Sequence, residues 1–159
     1  MTIIVTGGAG FIGSNFVIDW LDKNDEEIVN LDKLTYAGNL NNLISLEGNK
    51  SHIFVEGDIG NSDHLKELLI KFKPRAILNF AAESHVDRSI HGPESFMQTN
   101  IIGTSRLLEC AKNYWQSLPQ EEQAEFRFLH ISTDEVYGSL SEDSPAFLET
   151  NRYEPNNPY

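Results

Sequence analysis

Cysteine is nearly absent: Cys110 is the one thiol among 159 residues. A single thiol forms no intrachain disulfide, so the fold rests on its apolar core, and a reducing, cytoplasmic location is expected. Positive charge is scarce too. The 12 Lys and Arg face 24 Asp and Glu, a net charge of −12. That balance argues against nucleic acid or an anionic membrane as a partner. It leaves room for a small anionic ligand, because a local nest of backbone N–H groups holds phosphate even in an acidic protein. No apolar stretch approaches the roughly 20 residues of a membrane span. Met1 runs almost directly into an apolar segment, so no signal peptide is expected. Repeats and low-complexity segments are missing, and no metal site is expected. What remains is an ordinary globular composition, 40% hydrophobic and 23% charged, in a length that suits one domain.

The informative stretch comes first. Ile3, Ile4 and Val5 form a short β-branched run suited to a buried strand. Gly7, Gly10 and Gly13 follow in G-x-x-G-x-x-G spacing. Phe11, Ile12, Phe16, Val17, Trp20 and Leu21 then recur at helical spacing. Strand, glycine turn and helix in that order lift the glycines above a bare pattern match. Small residues let the backbone approach a diphosphate, and the helix N-terminus offers it free N–H groups. The alternative is a tight turn that binds nothing.

Further strands are expected at Ile28–Leu31, His52–Val55, Ala76–Phe80 and Phe126–Ile131. Helices are expected over Phe11–Lys23, from a Ser62 or Asp63 cap to Pro74, and over Pro93–Trp115, with a short one at Leu40–Leu46. Ala81–Gly92 and Leu118–Glu125 read as a loop and a linker. The alternation predicts an α/β fold: a doubly wound, Rossmann-like parallel sheet of order 3-2-1-4-5, with an incomplete far edge.

In such sheets ligands lie beyond the carboxyl ends of the strands, so the residues there carry the functional reading. Asp32, about 20 residues past the turn, suits adenosine ribose hydroxyls and repels a 2′-phosphate, which favours NAD over NADP; Lys33 softens that only slightly. Otherwise Asp32 caps a loop. Asp58 and Ile59 suit an adenine edge, or are a turn residue beside a core residue. Ala81 and Ala82 leave room for a cofactor, and Ser84 and His85 reach toward a sugar unless His85 is simply solvated. Thr99 and Asn100 sit inside a predicted helix they do not favour, a hint of polar work near the site. Asp134 and Glu135 adjoin at a strand's carboxyl end, where an acid and a base are one reading and two solvated acids the other.

Together, Val5–Gly13, Asp32–Asn39, Ala81–Ser89 and Ser132–Gly138 resemble the extended short-chain dehydrogenase/reductase family, across the whole chain. The glycine turn and Asp32 are common to that family. Asp32–Asn39 and Thr133–Glu135 resemble its nucleotide-sugar 4,6-dehydratase branch more narrowly. The resemblance implies cofactor contacts at Gly7, Gly10, Phe11, Ile12, Gly13, Asp32, Lys33, Thr35, Asp58, Ile59, Ala81, Ala82, Ser84 and Thr99. It implies substrate contacts at Ser84, His85 and Thr133, and catalysis by Thr133, Asp134, Glu135 and Tyr159. The implied reaction is NAD-dependent dehydration of dTDP-glucose to its 4-keto-6-deoxy product. Asn156-Asn-Pro-Tyr159 matches the approach to a family Tyr-x-x-x-Lys pair, whose lysine would fall four positions beyond the last residue. Residues 1–159 are therefore expected to be part of a dinucleotide-binding domain, without the later substrate domain and with little dehydratase activity alone. Other readings are a GDP-mannose or UDP-sugar dehydratase, a decarboxylase, a 4-epimerase, or a non-catalytic NAD module. A homodimer is expected from the open edge of the last strand and from part of the group Ile101, Leu107, Leu108 and Tyr114.

Overall fold

Alternation along the first strand sets the layers. Ile3 and Val5 turn to one side of the sheet and Ile4 to the other, and all three are buried. A strand buried on both faces belongs at the centre of a parallel sheet. The computed structural model, which describes residues 1–159, places it there. Strands β1 (Thr2–Thr6), β2 (Glu27–Asp32), β3 (His52–Glu56), β4 (Ala76–Asn79) and β5 (Arg127–His130) are all parallel, in the predicted order β3-β2-β1-β4-β5.

Helix α1 (Phe11–Lys23) and a 3-10 turn at Leu40–Leu46 cover one face, where Val17, Leu43 and Leu46 pack on Ile3, Val5 and Ile28. Helix α2 (Ser62–Phe72) covers the other with Leu65, Leu68 and Leu69 against Ile4, Val29 and Ile77. Its cap is Asn61 rather than Ser62 or Asp63: the Asn61 side chain accepts from the His64 N–H at 3.2 Å. Burial holds the Cys110 thiol above its usual range, which disfavours the thiolate.

Two stretches read as irregular are helical. Helix α3 (Val86–His91) lies within the expected loop, and α6 (Gln120–Glu125) within the expected linker. Neither shows an apolar stripe. Ser89 is the one buried residue of α3, and α6 buries none. The long helix predicted from Pro93 is a succession: α4 (Glu94–Phe96), a π-helical stretch at Met97–Gly103, and α5 (Thr104–Ser117).

A polar chain, buried at Thr6 and Asn79 and exposed at His130, crosses the carboxyl ends of β1, β4 and β5. The Thr6 hydroxyl donates to Asn79 Oδ1 at 2.5 Å, and Asn79 Nδ2 donates to His130 Nδ1 at 3.0 Å. These bonds fix the platform on which the site is built.

Candidate functional site

The strand order reverses between β1 and β4, and the loops after them splay apart there. The gap is a cleft of about 430 Å³, within the roughly 300–1,000 Å³ common to small-molecule sites. The glycine turn forms its floor. Gly7 has φ +73°, and a Cβ on it would lie 2.6 Å from the Ala81 backbone nitrogen. A Cβ on Gly13 would overlap the Gly7 carbonyl. Only glycine permits this close approach, and the backbone stays bare toward the cleft.

All fourteen residues expected to touch the cofactor line this one cleft. Phe11 and Ile12 do so while 81% and 62% exposed, so they are not the start of the apolar face of α1 that their spacing implied. Their side chains stand at the mouth, and Val17 supplies the buried contact.

Asp32 does more than its expected role requires. Its Oδ2 accepts from the Ala9 N–H and its Oδ1 from the Leu34 N–H, both at 2.8 Å. The carboxylate thus ties the glycine turn to the loop after β2. Asn39 N–H and Asn42 Nδ2 complete the tie by donating to the Ala9 carbonyl at 3.0 and 2.9 Å.

Asp58 lines the cleft, but its carboxylate meets Lys33 Nζ at 2.6 Å and also accepts from the Gly60 N–H at 2.7 Å. Burial raises its pKa. The Lys33 and Gly60 hydrogen bonds and the charges of Lys33 and Arg106 outweigh that, so the carboxyl sits below its usual range. Lys33 is therefore occupied by Asp58, a partnership not evident from spacing. Glu83, Ala37, Gly38 and Ser132 also line the cleft without having been singled out. Gly38 carried a signal, since a Cβ there would lie 2.7 Å from Asp32 Oδ1.

The two helix-interior polar residues divide their work. Thr99 lines the cleft. Asn100 does not, and its side chain instead clasps the Glu83 backbone, donating to the C=O and accepting from the N–H, both at 2.8 Å. The wider π-helical turn carries both residues, as such turns often do near functional sites.

Tyr159 reaches the cleft through a folded-back tail. Glu154 N–H donates to the Val136 carbonyl at 3.0 Å, Asn157 Nδ2 to Glu135 Oε2 at 2.7 Å, and the Tyr159 ring meets Phe96 edge-on at 6.1 Å. Ser84, His85 and Tyr159 all line the cleft. Thr133, Asp134 and Glu135 do not. Thr133 caps the 3-10 turn at Asp134–Tyr137, its hydroxyl accepting from the Glu135 N–H at 3.2 Å. The adjoining Ile131 and Ser132 are the wall residues of that segment.

A parallel sheet of this order with a glycine turn at its reversal point defines the class: a Rossmann-like, doubly wound α/β domain. Within that class, the chain belongs to the family described as GDP-mannose 4,6 dehydratase, whose model matches residues 4–159. The dTDP-glucose 4,6-dehydratase of Xanthomonas campestris pv. campestris is 59% identical over 158 residues, 99% of this chain and 44% of that protein. That of Haemophilus influenzae is 48% identical over 159 residues, 100% of this chain and 47% of that protein. A solved structure of the Streptomyces venezuelae dTDP-glucose 4,6-dehydratase with NAD bound has a TM-score of 0.86 at 44% identity, covering 100% of this chain and 47% of that one. The chain thus spans about half the length of the curated relatives it matches.

Proposed function

We propose that the cleft binds NAD and that the chain is the cofactor-binding part of a dTDP-glucose 4,6-dehydratase. The observation that carries this reading is the meeting of the glycine turn and Tyr159 in one cleft. The fit to NAD rests on the glycine turn, whose packing against the Ala81 backbone at Gly7 and against itself at Gly13 excludes any Cβ and leaves bare backbone lining the cleft, where N–H groups can meet a diphosphate. Gly7–Gly13 would hold the diphosphate, Asp32 the adenosine ribose through its remaining lone pairs, and Asp58 and Ile59 the adenine edge. Ala81 and Ala82 would leave room for the nicotinamide half.

The remaining residues follow from the chemistry. The C5–H of glucose becomes acidic only after C4 is oxidised to a ketone. NAD, when bound, supplies the acceptor for the C4 hydride and its return to C6. The Tyr159 phenolate oxygen takes the C4 hydroxyl proton, with the Thr133 hydroxyl orienting that group. A Glu135 carboxylate oxygen would remove the C5 proton, the Asp134 carboxyl would donate to the departing C6 hydroxyl, which leaves as water, and Glu135 would give the proton back to C5 as the hydride reaches C6. The Asn157–Glu135 hydrogen bond supports this grouping, because it links the base to the tail that bears Tyr159. Ser84 and His85 stand where they can meet the sugar. The same reading includes a homodimer in the cytoplasm. No helix is long and apolar enough to cross a membrane.

The test is direct. Titration calorimetry with NAD⁺ should show binding to this chain, and a protein of the relatives' length carrying this sequence should convert dTDP-glucose to its 4-keto-6-deoxy product. In that protein Tyr159→Phe should lower kcat roughly 100-fold or more, the range of a lost general acid–base. Absence of NAD⁺ binding, or normal turnover by the Tyr159→Phe variant, would overturn the reading.

A further inference from the structure

Two loops flank the mouth of the cleft, and each is anchored separately. The loop after β2 is bolted to the glycine turn through Asp32, Asn39 and Asn42, all bonded to Ala9. The loop after β4 is held by Asn100 at Glu83. Between these anchors stands the ring of Tyr36. The Arg88 guanidinium lies over its face, 3.8 Å from the centroid, and the His85 ring lies 5.1 Å away. Arg88 has no carboxylate within ion-pairing distance, so the ring is its partner. Tyr36 is 47% exposed and belongs to neither core cluster, so packing of the fold does not account for its position. Burial first, and then the Glu83 carboxylate, hold its phenol above the usual range, with Arg88 opposing. The ring therefore touches the loop after β4 at more than one point.

We infer that Tyr36 and Arg88 form a clasp across the mouth of the cleft that slows release of the dinucleotide. The inference rests on the reading of the cleft as an NAD site. Both are positioning residues: they hold two loops together and do not touch reacting atoms. Such a clasp suits a reaction that returns its hydride, because the coenzyme leaves each turnover as it entered and need not dissociate. The clasp closes on the side of His85. Ala82 and Ser84 of the cleft lining follow β4, as His85 does, while Asp58 and Ile59 follow β3 on the far side of β1. It should therefore retain the nicotinamide half and be indifferent to adenosine monophosphate.

Stopped-flow release of NAD⁺ from the loaded protein, with AMP affinity measured in parallel, tests this. Tyr36→Ala and Arg88→Ala should each speed NAD⁺ release roughly three- to fivefold, the scale of an exposed cation–π contact. The double variant should be no faster than either single one, because the two residues act through one contact. Tyr36→Phe, which keeps the ring, should restore most of the slow release, and AMP affinity and the thermal midpoint should not move. Unchanged release in both single variants, independent effects in the double variant, or equal weakening of AMP binding would overturn the clasp while leaving the NAD site standing. Failure of the unaltered protein to bind NAD⁺ would remove both.

Discussion

Asp32 shows how a side chain proposed to meet the ligand also serves the fold. A carboxylate that only met ribose hydroxyls would be dispensable to the ligand-free protein. Here both oxygens accept backbone N–H groups, from Ala9 and Leu34, and the residue is buried. Asp32→Ala would leave those donors without partners, at a cost of about 1–3 kcal/mol for a buried unsatisfied group. The ligand-free Asp32→Ala variant should therefore melt several degrees below the unaltered chain in differential scanning calorimetry, as well as losing NAD⁺ affinity. A variant that lost affinity alone would reduce Asp32 to a ligand contact. The cap onto Leu34 was the alternative reading of Asp32 in the sequence, and Leu34 makes it with φ +53°, rare for a leucine. The bond from Ala9, 23 residues away, was not legible. The glycines were legible because their requirement is steric and local. Lys33 and Asp58 were each recognisable but their pairing was not, since it joins the ends of two neighbouring strands.

At the scale of elements, legibility followed burial. Helices α1 and α2 were readable because their apolar residues repeat with the helical period and reach the core. Helices α3 and α6 were invisible because they bury almost nothing and so carry no period. Helix α6 is held instead by side-chain to backbone bonds, Trp115 Nε1 to the Gln123 carbonyl at 3.0 Å and Gln123 Nε2 to the Leu118 carbonyl at 2.8 Å. Polar ties of this kind also join strands, and one of them makes the sheet sensitive to acid. His52 on β3 faces Asn30 on β2, with Asn30 Nδ2 3.2 Å from His52 Nε2. With the amide donating, the imidazole must accept and stay neutral. Burial holds its pKa below the usual 6.5. The unfolded chain then takes up a proton near pH 6.5 that the folded chain refuses until lower pH, so stability falls as pH drops through that window. His52→Gln, which keeps a polar group but cannot titrate, should flatten the slope of urea midpoints between about pH 6.5 and the folded pKa. An unchanged slope would place the acid sensitivity elsewhere.

The whole molecule leaves an apolar stripe open. Met97, Ile101, Leu108 and Trp115 are 55%, 60%, 46% and 37% exposed along the helical run from Glu94 to Ser117. The last three recur every seven residues, which keeps them on one side of a helix, and residues of this size rarely line up in water without a partner. Two copies meeting through the same stripe would form a symmetric, self-complementary contact. The net charge of −12 opposes that approach, so the contact should tighten as salt screens the repulsion. Sedimentation equilibrium should therefore show a dimer, stronger at about 0.5 M than at about 0.05 M salt, where screening lengths differ severalfold. Ile101→Glu together with Leu108→Glu should give a monomer with an unchanged far-ultraviolet circular dichroism spectrum, because both side chains already face solvent. A dimer that survives both charges would move the interface away from this stripe. The open edge of β5 would then be the next surface to test, since Leu129 on it is 49% exposed and its outer backbone groups have no neighbouring strand.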